Sequence, residues 1–196
     1  IKGALKKIFT AQLKPIAAPK AAVAPEGYHL ISDIRRSPGK DWFADGAAWA
    51  DALTKAGEFA VEAGGLRGVP VGWLHSGLMG RKFQGTLRSQ TFEITENHIH
   101  LLALGRDVRV NVVIDNFKII QGPIYAGNTR TLNKEQPHWV HFNVAMWKGH
   151  HCYLEIADLS SPNHSGKRLT PYGYAAMRDL WVSAPEKNRP PGPPPP

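Results

Sequence analysis

The chain has 196 residues, room for one sizeable domain with a core of its own plus tails. Hydrophobic residues make up 42% and charged residues 20%, which excludes wholesale disorder and collagen, and no apolar run reaches the length of a membrane-spanning helix. The single cysteine, Cys152, excludes an internal disulfide framework, a cysteine-only zinc site and the two-cysteine attachment of a c-type haem, while 24 Lys and Arg against 16 Asp and Glu give +8 and raise nucleic acid or an anionic surface as partner.

In chain order, residues 1–25 carry five lysines, no acid and an Ala/Pro-rich second half, the composition of a basic linker or of the end of a preceding domain. Ile1, Ala4, Leu5, Ile8 and Phe9 stand at helical spacing, so a short basic amphipathic helix is the alternative, and residue 1 opens no intact signal peptide. From 26 to 184 the pattern is mostly period two, the module proper. Residues 28–34, 57–62, 66–73 and 86–94 are weaker strand candidates, and 49–55 carry the one hint of helix. Ile99, Leu101 and Ala103 then alternate with His98 and His100. After a turn signal at Gly105-Arg106-Asp107, Val108, Val110, Val112 and Ile114 alternate with Arg109, Asn111 and Asp115. Residues 117–120 form another weak candidate before a Gly122-Pro123 turn. Val140, Phe142 and Val144 alternate with Trp139, His141 and Asn143, Cys152, Leu154 and Ile156 alternate with Tyr153 and Glu155, and 174–182 close the series.

Residues 185–196 end in six prolines over seven positions, an extended proline-rich linker. Eight to ten short strands with glycine and proline punctuation predict an all-β antiparallel sandwich or jelly roll of galactose-binding-like type, because the crossover helices of a parallel sheet are missing. The tails hold six of the eight net positive charges and ten of the sixteen prolines, so the body is nearly balanced.

Glycine-rich phosphate loops, GxSxG and HExxH are all absent, which removes the usual enzyme signatures. If the apolar faces of the four clear strands make the core, their opposite faces present His98, His100, Arg109, Asn111, Trp139, His141, Asn143, Tyr153 and Glu155. A solvent-facing sheet usually carries Lys, Glu and Thr. Aromatic rings that stack on a sugar, beside amide, guanidinium and imidazole groups that satisfy its hydroxyls, suit carbohydrate recognition; the plainer reading is a face covered by loops or a neighbouring domain. Two loops add Trp73, His75 and Arg81 within 72–82 and Tyr125 within 122–127, each able to rim a site, although Trp73 equally suits a core plug. Asp41, Asp45 and Asp51, with Asp179, could supply oxygen ligands to a structural calcium, without EF-hand spacing. The pairs His98/His100, His138/His141 and His150/His151 raise zinc, which wants a third ligand, and Cys152 on an apolar strand face is expected to be buried and inert.

The stretch from Ser76-Gly77-Leu78 through FQGTLRSQTFEI, HIHLLALGRDVRVNVVIDNFKIIQGPIYAG, HWVHFNVAMWKGHHCYLEIAD and YGYAAMRDLWVS resembles a module of planctomycete multidomain proteins that join a c-type cytochrome to domains of unknown function. The same order is similar to that of carbohydrate-binding jelly rolls, which accompany glycosidases. The resemblance covers about residues 28–183 and implies a non-catalytic sandwich inside a larger, extracytoplasmic polypeptide, with any haem held elsewhere in the parent and no cofactor here beyond calcium.

The leading expectation is a non-catalytic module that recognises a polysaccharide or glycoconjugate on its polar and aromatic sheet face. The alternative is a structural spacer docked against neighbouring domains of the same chain. A histidine-based metal enzyme lacks its third ligand. Nucleic-acid binding lacks its basic stripe, since near 108–114 only Arg106 and Arg109 are basic, with Asp107 and Asp115 beside them. Neither nucleic acid nor a membrane span is expected.

Overall fold

A computed structural model describes residues 23–184 except 38, 56, 63–64, 70, 119–121, 123–124 and 160–172. The proposed linker at 185–196, and all of that at 1–25 except residues 23–25, therefore lie outside the described residues, as does half of the 117–120 strand candidate, of which Phe117 makes one isolated bridge to Ile114.

The organising element is a long hairpin. Strand β8 (His98–Ile114) pairs antiparallel with β9 (Thr129–Asn143) from His98↔Asn143 to Asn111↔Thr129. On its other side β8 has two neighbours end to end: β11 (Tyr174–Ser183) along its first half and β10 (His151–Asp158) along its second. Strand β1 (Tyr28–Asp33) adds to β11, while β6 (Gly85–Ser89) and then β2 (Trp42–Asp45) add to β10, giving the order β1-β11-β8-β10-β6-β2. Short β5 (Leu74–His75) pairs with β11 and β7 (Phe92–Glu93) with β10; β3 (Phe59–Glu62) and β4 (Gly65–Gly68) form a separate hairpin. All of these pairings are antiparallel, and the only helical elements among the described residues are three 3-10 turns, none long enough to cross a membrane. The all-β antiparallel sandwich is as the alternation predicts, with eleven strands among the described residues where eight to ten were expected.

The turn expected at Gly105-Arg106-Asp107 is instead a corner inside one continuous strand. Register shifts at Ala103/Gly105 and Arg106/Val108 insert bulges, and Asp107 takes a left-handed φ of 54° with its N–H donated to Asn133 Oδ1 at 3.1 Å. Gly105 is required by close approach, because a Cβ there would lie 2.4 Å from the Tyr174 carbonyl oxygen. The bulges also flip the parity of the strand, so that Ile99, Leu101 and Ala103 before the corner and Val108, Val110, Val112 and Ile114 after it all enter one core. The sheet thus folds on itself, and Val140, Phe142, Leu180 and Val182 from the first half meet Leu154, Ile156, Leu87 and Trp42 from the second. Each such side chain contributes about 1.5–3 kcal/mol by leaving water.

The helix hinted at over 49–55 does not form. A 3-10 turn at Ala47–Trp49 gives way to extended chain, Asp51 takes a φ of 48°, and residues 52–54 bond to 72–75 through His75 N–H to Ala52 O and Thr54 N–H to Trp73 O, both 2.8 Å. Cys152 is buried in the core, and burial pushes its thiol up to about 12, with Asp115 adding to the rise, which makes it unreactive. Tyr28 opens β1 directly opposite Ser183, the last residue of β11.

Candidate functional site

The corner divides the outward face of β8 into two halves with different fates. In the first half, His98, His100 and Leu102 stand opposite Asn143, His141 and Trp139 of β9. This half is closed. Trp73, 1% exposed, packs with Leu102, Leu104, Tyr174 and Ala176, and Trp139 lies half-buried against that cluster. The segment after Trp73 is pinned by β5, by Ser76, whose hydroxyl accepts from Ala175 N–H and donates to Asp158 Oδ2 at 2.5 Å, and by His75 stacked on Tyr174 at 5.3 Å. The Arg81 guanidinium lies 4.0 Å from the Tyr174 ring centre, and that of Arg178 5.1 Å from the Trp73 ring. Trp73 and His75 are therefore packing residues, not rim residues, because the tryptophan ring is too large an apolar surface to leave over an apolar sheet patch.

His98 and His100 are likewise withdrawn from solvent. His98 Nδ1 lies 3.0 Å from His141 Nε2, His100 Nε2 lies 2.8 Å from Ser183 Oγ, and the His141 ring stacks on His100 at 5.2 Å and sits tilted to His98 at 5.0 Å. Burial pushes His100 down to about 4, with His141 and His98 adding to the effect, and burial lowers His141 as well. The three imidazoles pack on one another, and among the described residues no three His, Cys, Asp or Glu gather in a way that could hold a metal ion. The proposed calcium set does not come together either. Asp179 is buried between Arg35 Nη2 at 2.9 Å and Arg178 Nε at 3.1 Å, while Asp41 accepts from Gln90 Nε2 and Asp45 stands exposed on β2.

The second half is open. Its pairings line up one row across five strands, Phe43, Arg88, Glu155, Asn111 and Thr129, and directly paired residues share a face. Glu155 is fully buried at the centre. It accepts from Asn111 Nδ2 at 3.2 Å and pairs with Arg88 Nε at 3.3 Å and with the Lys118 ammonium, whose side chains are 52% and 42% exposed. Thr129 Oγ1 donates to Asn111 Oδ1 at 3.1 Å, Tyr153 sits half-buried two residues from Glu155 with Arg88 5.7 Å from its ring, and Phe43 is 63% exposed at the far end. The adjoining row runs Asp45, Thr86, Ala157, Arg109 and Thr131. Arg109 is exposed, and its side chain makes no hydrogen bond or ion pair among the described residues.

Of the expected face, Arg109, Asn111, Tyr153 and Glu155 come together here; His98, His100, Trp139, His141 and Asn143 lie beyond the corner. Sequence reasoning missed Arg88, Lys118, Phe43 and Thr129. Arg88 was within reach, since Leu87 turns inward and its neighbours must turn outward; Phe43 follows a second aromatic and Lys118 follows a turn, so neither carries a periodic signal.

Tyr125 belongs to a separate cluster at the loop end of the sandwich. It stacks on Trp147 at 5.1 Å, Trp147 meets His150 edge-on, and His150 Nδ1 lies 2.5 Å from Asp115 Oδ2, a bond that holds the Asp115 carboxyl below its usual range.

No protein-family model and no curated protein matches the chain. Solved structures that resemble it include a family two carbohydrate esterase from Cellvibrio japonicus, 14% identical over 73% of this chain and 33% of that one with a TM-score of 0.35, so the chain spans about a third of the esterase's length. A family 29 carbohydrate-binding module is 10% identical over 84% of this chain and 99% of its own, with a TM-score of 0.40. The low-affinity xylan-binding module CBM86 from Roseburia intestinalis is 12% identical over 76% and 98%, with a TM-score of 0.34.

Proposed function

We propose that the chain is a non-catalytic module of a larger exported protein and that it binds a glycan across the open half of its folded sheet. The observation that carries this reading is the row of Phe43, Arg88, Glu155, Asn111 and Thr129. The exposed ends of Arg88 and Lys118 over the buried floor of Glu155 and Asn111, with Tyr153 and Phe43 standing beside them, offer placed donors for hydroxyls together with ring faces for the C–H surface of a sugar. Glu155 is screened by Arg88, Lys118 and Asn111, so it shapes the floor and does not reach a substrate as an acid or nucleophile would have to.

Affinity electrophoresis through gels containing plant, algal and bacterial polysaccharides tests the proposal. Retardation by at least one polymer is expected, and Tyr153→Ala, at a half-buried position, should abolish it while leaving the thermal transition nearly unchanged. Retardation by none, or retardation indifferent to Tyr153→Ala, sinks the reading. A chain that no glycan retards is left with the spacer role, which the exposed Phe43, Phe117 and Met146 side chains favour.

A further inference from the structure

We propose that the ligand of this face is an acidic glycan, one carrying uronate carboxylates or sulfate esters; the inference rests on the binding reading above. The two rows carry two cations with exposed ends, Arg88 and Arg109, and two acids, and Lys118 reaches Glu155 from the segment after β8 as a third exposed cation. One acid, Glu155, is fully buried beneath Arg88 and Lys118, so it holds those two cations in place while only their outward edges meet solvent. The other, Asp45, lies on the edge strand, separated from Arg109 along its row by Thr86 and Ala157. What solvent meets over the centre of the sheet is therefore positive.

Arg109 makes the point most directly. An exposed guanidinium with no partner on its own sheet retains its full planar fork of donors, the geometry that takes a carboxylate or sulfate with two parallel hydrogen bonds. Arg88 and Arg109 stand two strands and one row apart, about 12 Å between their Cα atoms by sheet spacing. That separation lets a single short oligosaccharide present acidic groups to both as it crosses β10 over Glu155 and Ala157, with Tyr153 beside Arg88 on the outer side of that path. A neutral glycan would leave the Arg109 guanidinium without counter-charge.

The test uses matched polymer pairs: polygalacturonate against its fully methyl-esterified form, and a sulfated galactan against its desulfated form. The acidic member should bind about tenfold more tightly than its neutral twin at about 50 mM salt, and the difference should shrink towards unity at about 0.5 M salt. Arg109→Ala, a change at an exposed position, should cut the acidic-over-neutral preference several-fold. Equal binding of both members overturns the acidic-ligand inference while glycan binding stands. Retention of neither overturns both. Single-stranded DNA or polyphosphate binding as tightly as the acidic glycan, or a preference that Arg109→Ala does not move, reduces the effect to simple cation exchange and overturns the inference.

Discussion

On either side of the Gly105 corner the same strand, β8, with the same partner, β9, presents an outward face, and the two faces do different work. Around Leu102 the outward residues are covered by Trp73, and beside it His98, His100 and His141 pack on one another, with burial favouring the neutral form of His100 and His141. Around Asn111 and Glu155 the neighbours are Arg88, Lys118 and Tyr153, side chains that stand over the buried floor while Arg88 and Lys118 keep half-exposed ends. Alternation decides which residues point outward. Exposure is decided by what the flanking strands and loops bring to them, and that is a tertiary property.

The contrast can be broken most severely at Trp73. Trp73→Ala should lower stability by about 3–5 kcal/mol, read as a shift of the urea midpoint, because it empties the cover over Leu102 and Leu104. If the loss is below about 1 kcal/mol, the first half is not a closed core.

Acid should act on the same half. His100 titrates near 4 in the fold against an ordinary value near 6.5, so above about 6.5 both states are neutral and its contribution is fully present. As pH falls, the unfolded chain takes up a proton that the folded chain refuses, and stability drops by up to about 3 kcal/mol by pH 4. Comparing urea midpoints at neutral and acid pH measures this; His100→Gln should flatten the dependence in that window, and an unchanged slope would show that the cluster is not its source.

Gly105→Ala attacks the corner that separates the halves. Its Cβ would meet the Tyr174 carbonyl, and a loss of about 1–3 kcal/mol is expected in the same assay.

Arg88→Ala is the mildest for the fold. The pair it breaks with Glu155 has a half-exposed partner and Lys118 remains, so stability should change by about 1 kcal/mol or less while glycan retardation falls. Stability and binding would then move oppositely at Trp73 and Arg88, which is the sharpest form of the comparison.

The sequence carried the fold class because the core faces of β8 and β10 and the closing residues of β9, Val140 and Phe142, read cleanly at period two. It did not carry the opening stretch of β9: residues 129–138 include Lys134, Glu135 and Pro137, the chemistry of an edge strand, and bury a single apolar side chain, Leu132, too few to make an alternating pattern. The parity change from odd to even core positions between Ala103 and Val108 was visible, yet a bulged corner and a turn share the same glycine and aspartate signals. For the site, Arg109, Asn111, Tyr153 and Glu155 could be found from alternation, whereas Trp73 closing one half and Lys118 joining the other depend on loops whose path periodicity does not encode.

The pairing of Tyr28 with Ser183 has a mechanical consequence. Where the chain enters β1 and leaves β11, the two ends lie side by side on antiparallel neighbours, so a pull applied through residues before 28 and after 183 opens the β1–β11 ladder from that end. Hydrogen bonds loaded in this way break in succession, as in a zipper, and are never sheared together. Under tension the first strand to peel is β1, with Asp33 and Arg35 leaving the buried ion pairs around Asp179, while the β8–β10–β6 face that holds Glu155 stays outside the line of force.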